Sequence, residues 1–166
     1  MEKRIKVEDL LKPEVFKKHE KELFGFFEKG GTWKMLLGID DVVIEEQYAV
    51  ACQFFSEKKY KDASDLYTYL SILDPYNYDI CMGLAGSKQA LKKFEEALIH
   101  YTTAGAIKPE MPQPHLYLSN CFFAIREEDQ AREELRKTIE IAGNQNEFAE
   151  VRREAETILQ NFPKMR

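Results

Sequence analysis

"KFEEALIHYTTAGAIKPEMP", residues 93–112, and "KYKDASDLYTYLSILDPYNY", residues 59–78, carry an aromatic, an Ala, a Tyr and a Pro at the same places. The offset between the two stretches is 34 residues, and a third, looser copy follows at the same distance. With Ala63, Ala97 and Ala131 aligned, the residue four later is Tyr67, Tyr101 and Leu135. Three further on stand Leu70, Ala104 and Thr138, and then Pro75, Pro109 and Gly143. Three before each Ala are Tyr60, Phe94 and Glu128; twelve before are Ala51, Ala85 and Ser119.

A period of 34 with these residue types is that of the tetratricopeptide repeat, a helix-turn-helix unit. The pattern has a physical reason. Where two antiparallel helices cross closely, each needs a small side chain, and the pairs Ala51/Ala63, Ala85/Ala97 and Ser119/Ala131 supply them. Tyr67, Tyr101 and Leu135 lie one turn on and would fill the gap between units. Pro75 and Pro109 stop the second helix. The expected fold is therefore all-α: three repeats at 44–77, 78–111 and 112–145, flanked by an N-terminal helical region over 1–43 and a C-terminal capping helix and tail over 146–166.

The flanks follow from the same rules. "NEFAEVRREAETILQNFP", residues 146–163, puts Phe148, Val151, Ala155 and Leu159 on one face, with Asn146 as N-cap and Pro163 past the end. "PEVFKKHEKELFGFFEKGG", residues 13–31, starts at Pro13 and stops at Gly30-Gly31. Its broad apolar face is made of Val15, Phe16, His19, Leu23, Phe26 and Phe27. Such a face either packs on the array or pairs two subunits. "TWKMLLGIDD" reads as a short helix, with Asp40 or Asp41 capping the first repeat helix.

Composition narrows the function. The chain of 166 residues is 44 % hydrophobic, 32 % charged, and has a formal net charge of −5. Lys and Arg are dispersed among acids, which argues against nucleic acid as a partner. No long apolar run would span a membrane. The N-terminal stretch lacks the apolar core of a signal peptide, and three cysteines without a C-x-x-C suit reduced thiols, so a cytoplasmic protein is expected. His19, His100 and His115 have no metal-like spacing, although His115 and Cys81 share a repeat position. Paired acids such as Glu133-Glu134 read as solvated outer faces. No phosphate loop, nucleophile elbow or dinucleotide fingerprint is present, so neither an enzyme nor a cofactor is expected.

A stack of such units curves, with the first helix of each lining the inside. The inward positions are Tyr48, Cys52 and Phe55 in the first unit, Met82, Gly86 and Gln89 in the second, and Leu116, Asn120 and Phe123 in the third. This set is apolar and aromatic, with two amides and no charge. It suits an extended peptide whose apolar side chains are buried while Gln89 and Asn120 bond its backbone.

The stretches "GGTW" (30–33), "LDPYNYD" (73–79) and "GLAGSKQAL" (83–91) add a family resemblance. Over about residues 30–142 the chain resembles the class II chaperones of bacterial type III secretion systems, the SycD/LcrH/SicA-like proteins. Lys88, followed by Gln89, stands where a general repeat has an aromatic, and the family shares that departure. The resemblance implies a cytoplasmic chaperone that holds hydrophobic translocator proteins before export, binding a P-x-L-x-x-P segment in the concave groove. It makes Tyr48, in "EEQYA", and Phe55 groove aromatics, places Cys52 where some members have an aromatic, and implies a homodimer through the N-terminal helix. The alternative from the repeat alone is a scaffold joining folded proteins.

Overall fold

The structure is a computed structural model, and it describes residues 13–162. The helices are α1 (Pro13–Glu28), α2 (Trp33–Leu37), α3 (Asp41–Ser56), α4 (Tyr60–Leu73), α5 (Tyr78–Ala90), α6 (Phe94–Ile107), α7 (Gln113–Ala124), α8 (Glu128–Ala142) and α9 (Ala149–Asn161). A 3-10 turn, Asn146–Phe148, precedes α9, and there is no strand among the described residues. From α3 onward each helix packs on the next, so α3/α4, α5/α6 and α7/α8 are the three repeat units and α9 closes the stack.

The small-residue pairs are where the period put them. Ala51, Ala63, Ala85, Ala97 and Ala131 are wholly buried, and Ser119 is buried with its hydroxyl donated to the Leu116 carbonyl at 2.6 Å. Leu70, Ala104 and Thr138 are likewise fully buried, and the Thr138 hydroxyl bonds the Glu134 carbonyl one turn back. A polar side chain at a core site thus satisfies itself on its own helix.

Helix entries use two devices. Thr32, Asp40 and Asn77 cap α2, α3 and α5 through side-chain oxygens, each accepting an otherwise orphaned N–H. The second helices have no side-chain cap. Instead, Lys58, Lys92 and Arg126, again 34 apart, take left-handed φ of 61°, 61° and 67°. In each tight turn the next residue's N–H closes on the first helix: Lys59 on Phe54, Lys93 on Lys88, Glu127 on Phe122. These are the six-to-one bonds of a Schellman ending, formed here without glycine. Asn146 does not cap α9 as expected: it opens the 3-10 turn, and α9 starts without a side-chain cap. Pro163 lies outside the described residues.

The junction "LDPYNYD" is a structural knot. Lys34 reaches both Asp41 and Asp74 at 2.8 Å, which ties the entry segment to the end of α4. Those two hydrogen bonds hold the Lys34 ammonium above its ordinary range despite partial burial. Lys108 lies 4.6 Å from the centre of the Tyr78 ring, a cation–π contact across the second unit.

In α1, Leu23 is buried and Phe26 and Phe27 meet edge to face at 5.3 Å. Phe27 then contacts Trp33 at 5.0 Å, and His19 bonds Glu22. The side chains of Val15 and Phe16 lie outside the described residues. Phe24 and Met35 leave more than half their surface open, so the N-terminal region presents apolar side chains to solvent.

One expectation about charge fails. Glu133 is on the outer face with Lys137 at 3.0 Å, but its neighbour Glu134 is only 8 % exposed. The reason is a partner on the facing helix: His115 Nδ1 lies 2.6 Å from one Glu134 oxygen, and Lys137 bonds the other at 2.8 Å. His115 therefore faces Glu134, while the Cys81 thiol points at the Pro75 carbonyl, so the two do not form a site. Among the described residues no three metal-ligating side chains come together.

Burial works to raise the Glu134 pKa, but the hydrogen bonds from His115 and Lys137 outweigh it and hold the carboxyl below its ordinary value. A depressed carboxyl stabilises the fold above the unfolded-state pKa, and that stability is lost as pH falls through the folded value. Glu134→Gln should therefore cost about 1.5–3 kcal/mol at pH 7. The difference from wild type should shrink below about pH 4. Thermal unfolding followed by circular dichroism across pH checks both statements.

Candidate functional site: an aromatic groove across the first helices

One cavity of about 700 Å³ opens on the side of the stack formed by the first helices. It brings together five of the nine inward positions: Tyr48 and Phe55 from α3, and Met82, Gly86 and Gln89 from α5. Neither aromatic is sealed under another helix. Tyr48 is half-buried against the edge of Tyr67 at 5.8 Å, and Phe55 is 38 % exposed, edge-on to Tyr60 at 5.2 Å.

Four expected positions are elsewhere. Cys52 sits behind the wall, its thiol 3.2 Å from the Tyr67 hydroxyl. Leu116 is buried in the cluster formed by Ala131, Leu135, Ala155 and Phe162. Asn120 and Phe123 line a separate cavity of about 130 Å³ shared with Ile158 and Phe162. The cause is the capping helix: the Phe162 ring meets Phe123 at 5.5 Å and so fills the inner face of the third unit. Tyr117, one residue past Leu116, represents α7 in the main groove and stacks on Tyr101 at 5.4 Å.

Several lining residues were not among the inward positions. Tyr67, Phe94 and Tyr101 come from second helices or their starts, where the repeat pattern assigns them to packing. They do both. Asp79 and Lys92, outside the nine inward positions, add charge at the two ends of α5.

The polar groups of the floor are set by neighbours. The Tyr101 hydroxyl donates to Gln89 Oε1 at 2.7 Å, which leaves the Gln89 amide N–H groups for a ligand's carbonyl. Burial pushes the Tyr48 phenol far above the ordinary tyrosine range, with the Cys52 thiol and Asp79 adding to it. Tyr48 is thus a neutral hydrogen-bond donor at any physiological pH. Lys88, conspicuous in the sequence, is absent from the groove lining and pairs with Glu96 at 2.7 Å on the neighbouring helix.

Two glycines shape the floor in different ways. A Cβ on Gly83 would lie 2.4 Å from the Tyr67 ring, so Tyr67 can occupy the gap between units only because Gly83 is bare. A Cβ on Gly86 would meet Phe55 and the Tyr101 hydroxyl at an ordinary 3.7 Å, facing into the open groove.

This geometry defines the class of protein: an all-α tetratricopeptide repeat protein with an apolar groove across its first helices. The tetratricopeptide repeat family model matches residues 44–77. Low calcium response locus protein H of Yersinia pestis is 25 % identical over 135 residues, covering 81 % of this chain and 80 % of that protein. Chaperone protein SicA of Salmonella typhimurium is 30 % identical over 105 residues, 63 % of this chain and 64 % of SicA. Among solved structures, the Yersinia enterocolitica type III secretion translocator chaperone SycD superposes with a TM-score of 0.74 at 25 % identity. That match covers 78 % of this chain and 97 % of SycD. PcrH in complex with the chaperone binding region of PopD has the same fold, with a TM-score of 0.74 at 21 % identity, covering 77 % and 96 %. The resemblance to class II translocator chaperones of type III secretion, read first from "LDPYNYD" and "GLAGSKQAL", is therefore shown by relatives and structures alike.

The two glycines give a test of the packing. Alanine in a helix is ordinarily better than glycine by about 0.5–1 kcal/mol. Gly86→Ala should raise the melting temperature on that account. Gly83→Ala should lower it, since displacing the packed Tyr67 ring costs about 1–3 kcal/mol. Equal shifts in the two variants would show that Tyr67 is not fixed on Gly83.

Proposed function

We propose that this chain is a cytoplasmic chaperone of a bacterial type III secretion system. It binds an extended segment of hydrophobic translocator proteins in the groove and keeps them soluble and competent for secretion. The observation that supports this most is the groove itself: open aromatic side chains of Tyr48 and Phe55 on one bank, the gap at Gly86, and the free Gln89 amide in the floor. Each apolar anchor buried there is worth roughly 1.5–3 kcal/mol, so after association costs of at least ~4 kcal/mol micromolar binding, about 8 kcal/mol net, takes four or more anchors or polar contacts beside them.

The relatives support the same reading. SycD has been crystallised with a peptide of the translocator YopD, and PcrH with the chaperone binding regions of PopD and PopB. Proteins that later enter membranes expose apolar segments, which aggregate unless covered. A groove that holds one segment covers it without folding the whole cargo. Among the described residues no helix is long and apolar enough to cross a membrane. The half-buried Phe26 and Phe27, with the exposed Phe24 and Met35 beside them, would pair two copies of the free chaperone, whereas Leu23 is already buried within one chain; SycD itself has been seen in an alternative dimer.

Anisotropy of a labelled P-x-L-x-x-P peptide tests the proposal. Saturable binding by wild type should weaken by about 2 kcal/mol or more, some thirty-fold, in Tyr48→Ala/Phe55→Ala. Gly86→Leu should block the groove while circular dichroism shows an intact fold. Unchanged affinity in the folded double variant would remove these aromatics from the site. No binding by wild type, with capture of a folded partner instead, would favour a scaffold.

A further inference from the structure

Two opposite charges stand at the ends of α5. Asp79 stands in its first turn and Lys92 in the left-handed turn beyond its end, and both line the cavity. Among the described residues neither side chain has an ion-pair partner. The surrounding charges do: Lys88 and Lys93 share Glu96, Lys59 holds Glu57, Lys61 holds Asp65, and Lys34 holds Asp41 and Asp74.

The basic end is also repeated. First helices of successive units run parallel, so Lys58, Lys92 and Arg126, each at the corresponding left-handed turn, stand along one rim of the stack. None of the three has an ion-pair partner among the described residues. At the opposite end of α5 the groove meets Asp79, close enough for its charge to act on the Tyr48 phenol. Asp79 and Lys92 are 13 positions apart, nearly all of them along α5, which at 1.5 Å each is about 20 Å. That distance is the reach of about six extended residues.

We infer that the groove reads charge as well as apolar shape: it selects an extended segment with a basic side chain at the Asp79 end, apolar anchors between, and an acidic side chain at the Lys92 rim. This rests on the peptide-groove reading and adds the part that apolar anchors cannot supply. Apolar burial is non-directional, whereas opposite charges at the two ends distinguish a segment from the same segment laid the other way round. They also penalise segments with like charges at those places.

Three fluorescein-labelled peptides test this, sharing the P-x-L-x-x-P core and differing only in the flanking residues: Glu before and Lys after, Lys before and Glu after, or Gln at both. Wild type should bind one charged order about three- to ten-fold tighter than the neutral peptide, and the other order more weakly. The Asp79→Lys/Lys92→Glu variant should prefer the opposite order, and 0.5 M salt should draw the affinities together. Asp79→Asn/Lys92→Gln should bind all three alike, which keeps the test decisive if the reversed pair does not fold. Saturable binding of all three peptides by wild type with equal affinity at low salt overturns the charge reading and leaves the peptide groove standing. Binding of none of them overturns the groove reading and this inference with it.

Discussion

The close approach of the two helices within each unit is the contact on which everything else depends. Ala51 on Ala63, Ala85 on Ala97 and Ser119 on Ala131 leave no exposed surface worth the name, and a larger side chain at any of them would push the pair apart. With the crossing fixed three times at one spacing, successive units must stack in the same relation. A row of parallel first helices follows, and with it a continuous inner surface. The groove is a product of small residues that never touch it.

The ends of the stack show what happens when that repetition stops. After α8 there is no further unit to cover the third one, and α9 takes the place of the missing neighbour with Val151, Ala155, Ile158 and Phe162. Phe162, just past the end of α9, also lays its ring against Phe123. The open groove is consequently shorter than the array, centred on the second unit, with α3 and Tyr117 as its banks.

That difference explains how far the sequence was legible. The units, their small-residue contacts and the groove positions of α3 and α5 depend on spacing along one helix, and spacing is written in the chain. Leu116, Asn120 and Phe123 follow the same spacing, yet what covers them arrives from residues 155–162, some 40 positions later. Periodicity is blind to a contact that occurs once. Glu134 was misplaced for a related reason: its partner His115 stands outside the i,i+4 relation that correctly paired Glu133 with Lys137. The roles of Tyr67 and Tyr101 as walls were hidden by a double use, since a residue assigned to packing is not sought in a site. The turns at Lys58, Lys92 and Arg126 lack the glycine that usually marks a left-handed backbone, so the chain gave no sign of them.

Tyr67 has one further consequence. Its ring rests on bare Gly83 of the following unit, its hydroxyl holds Cys52 of the preceding helix, and its edge forms part of the groove wall. The same side chain is therefore both a contact between two units and part of the groove wall. Any occupant that presses on this wall bears on the angle between the units, and the angle in turn sets the width offered to the occupant. For the proposed peptide, curvature and occupancy would then be linked through a single ring, each biasing the other by the same free energy.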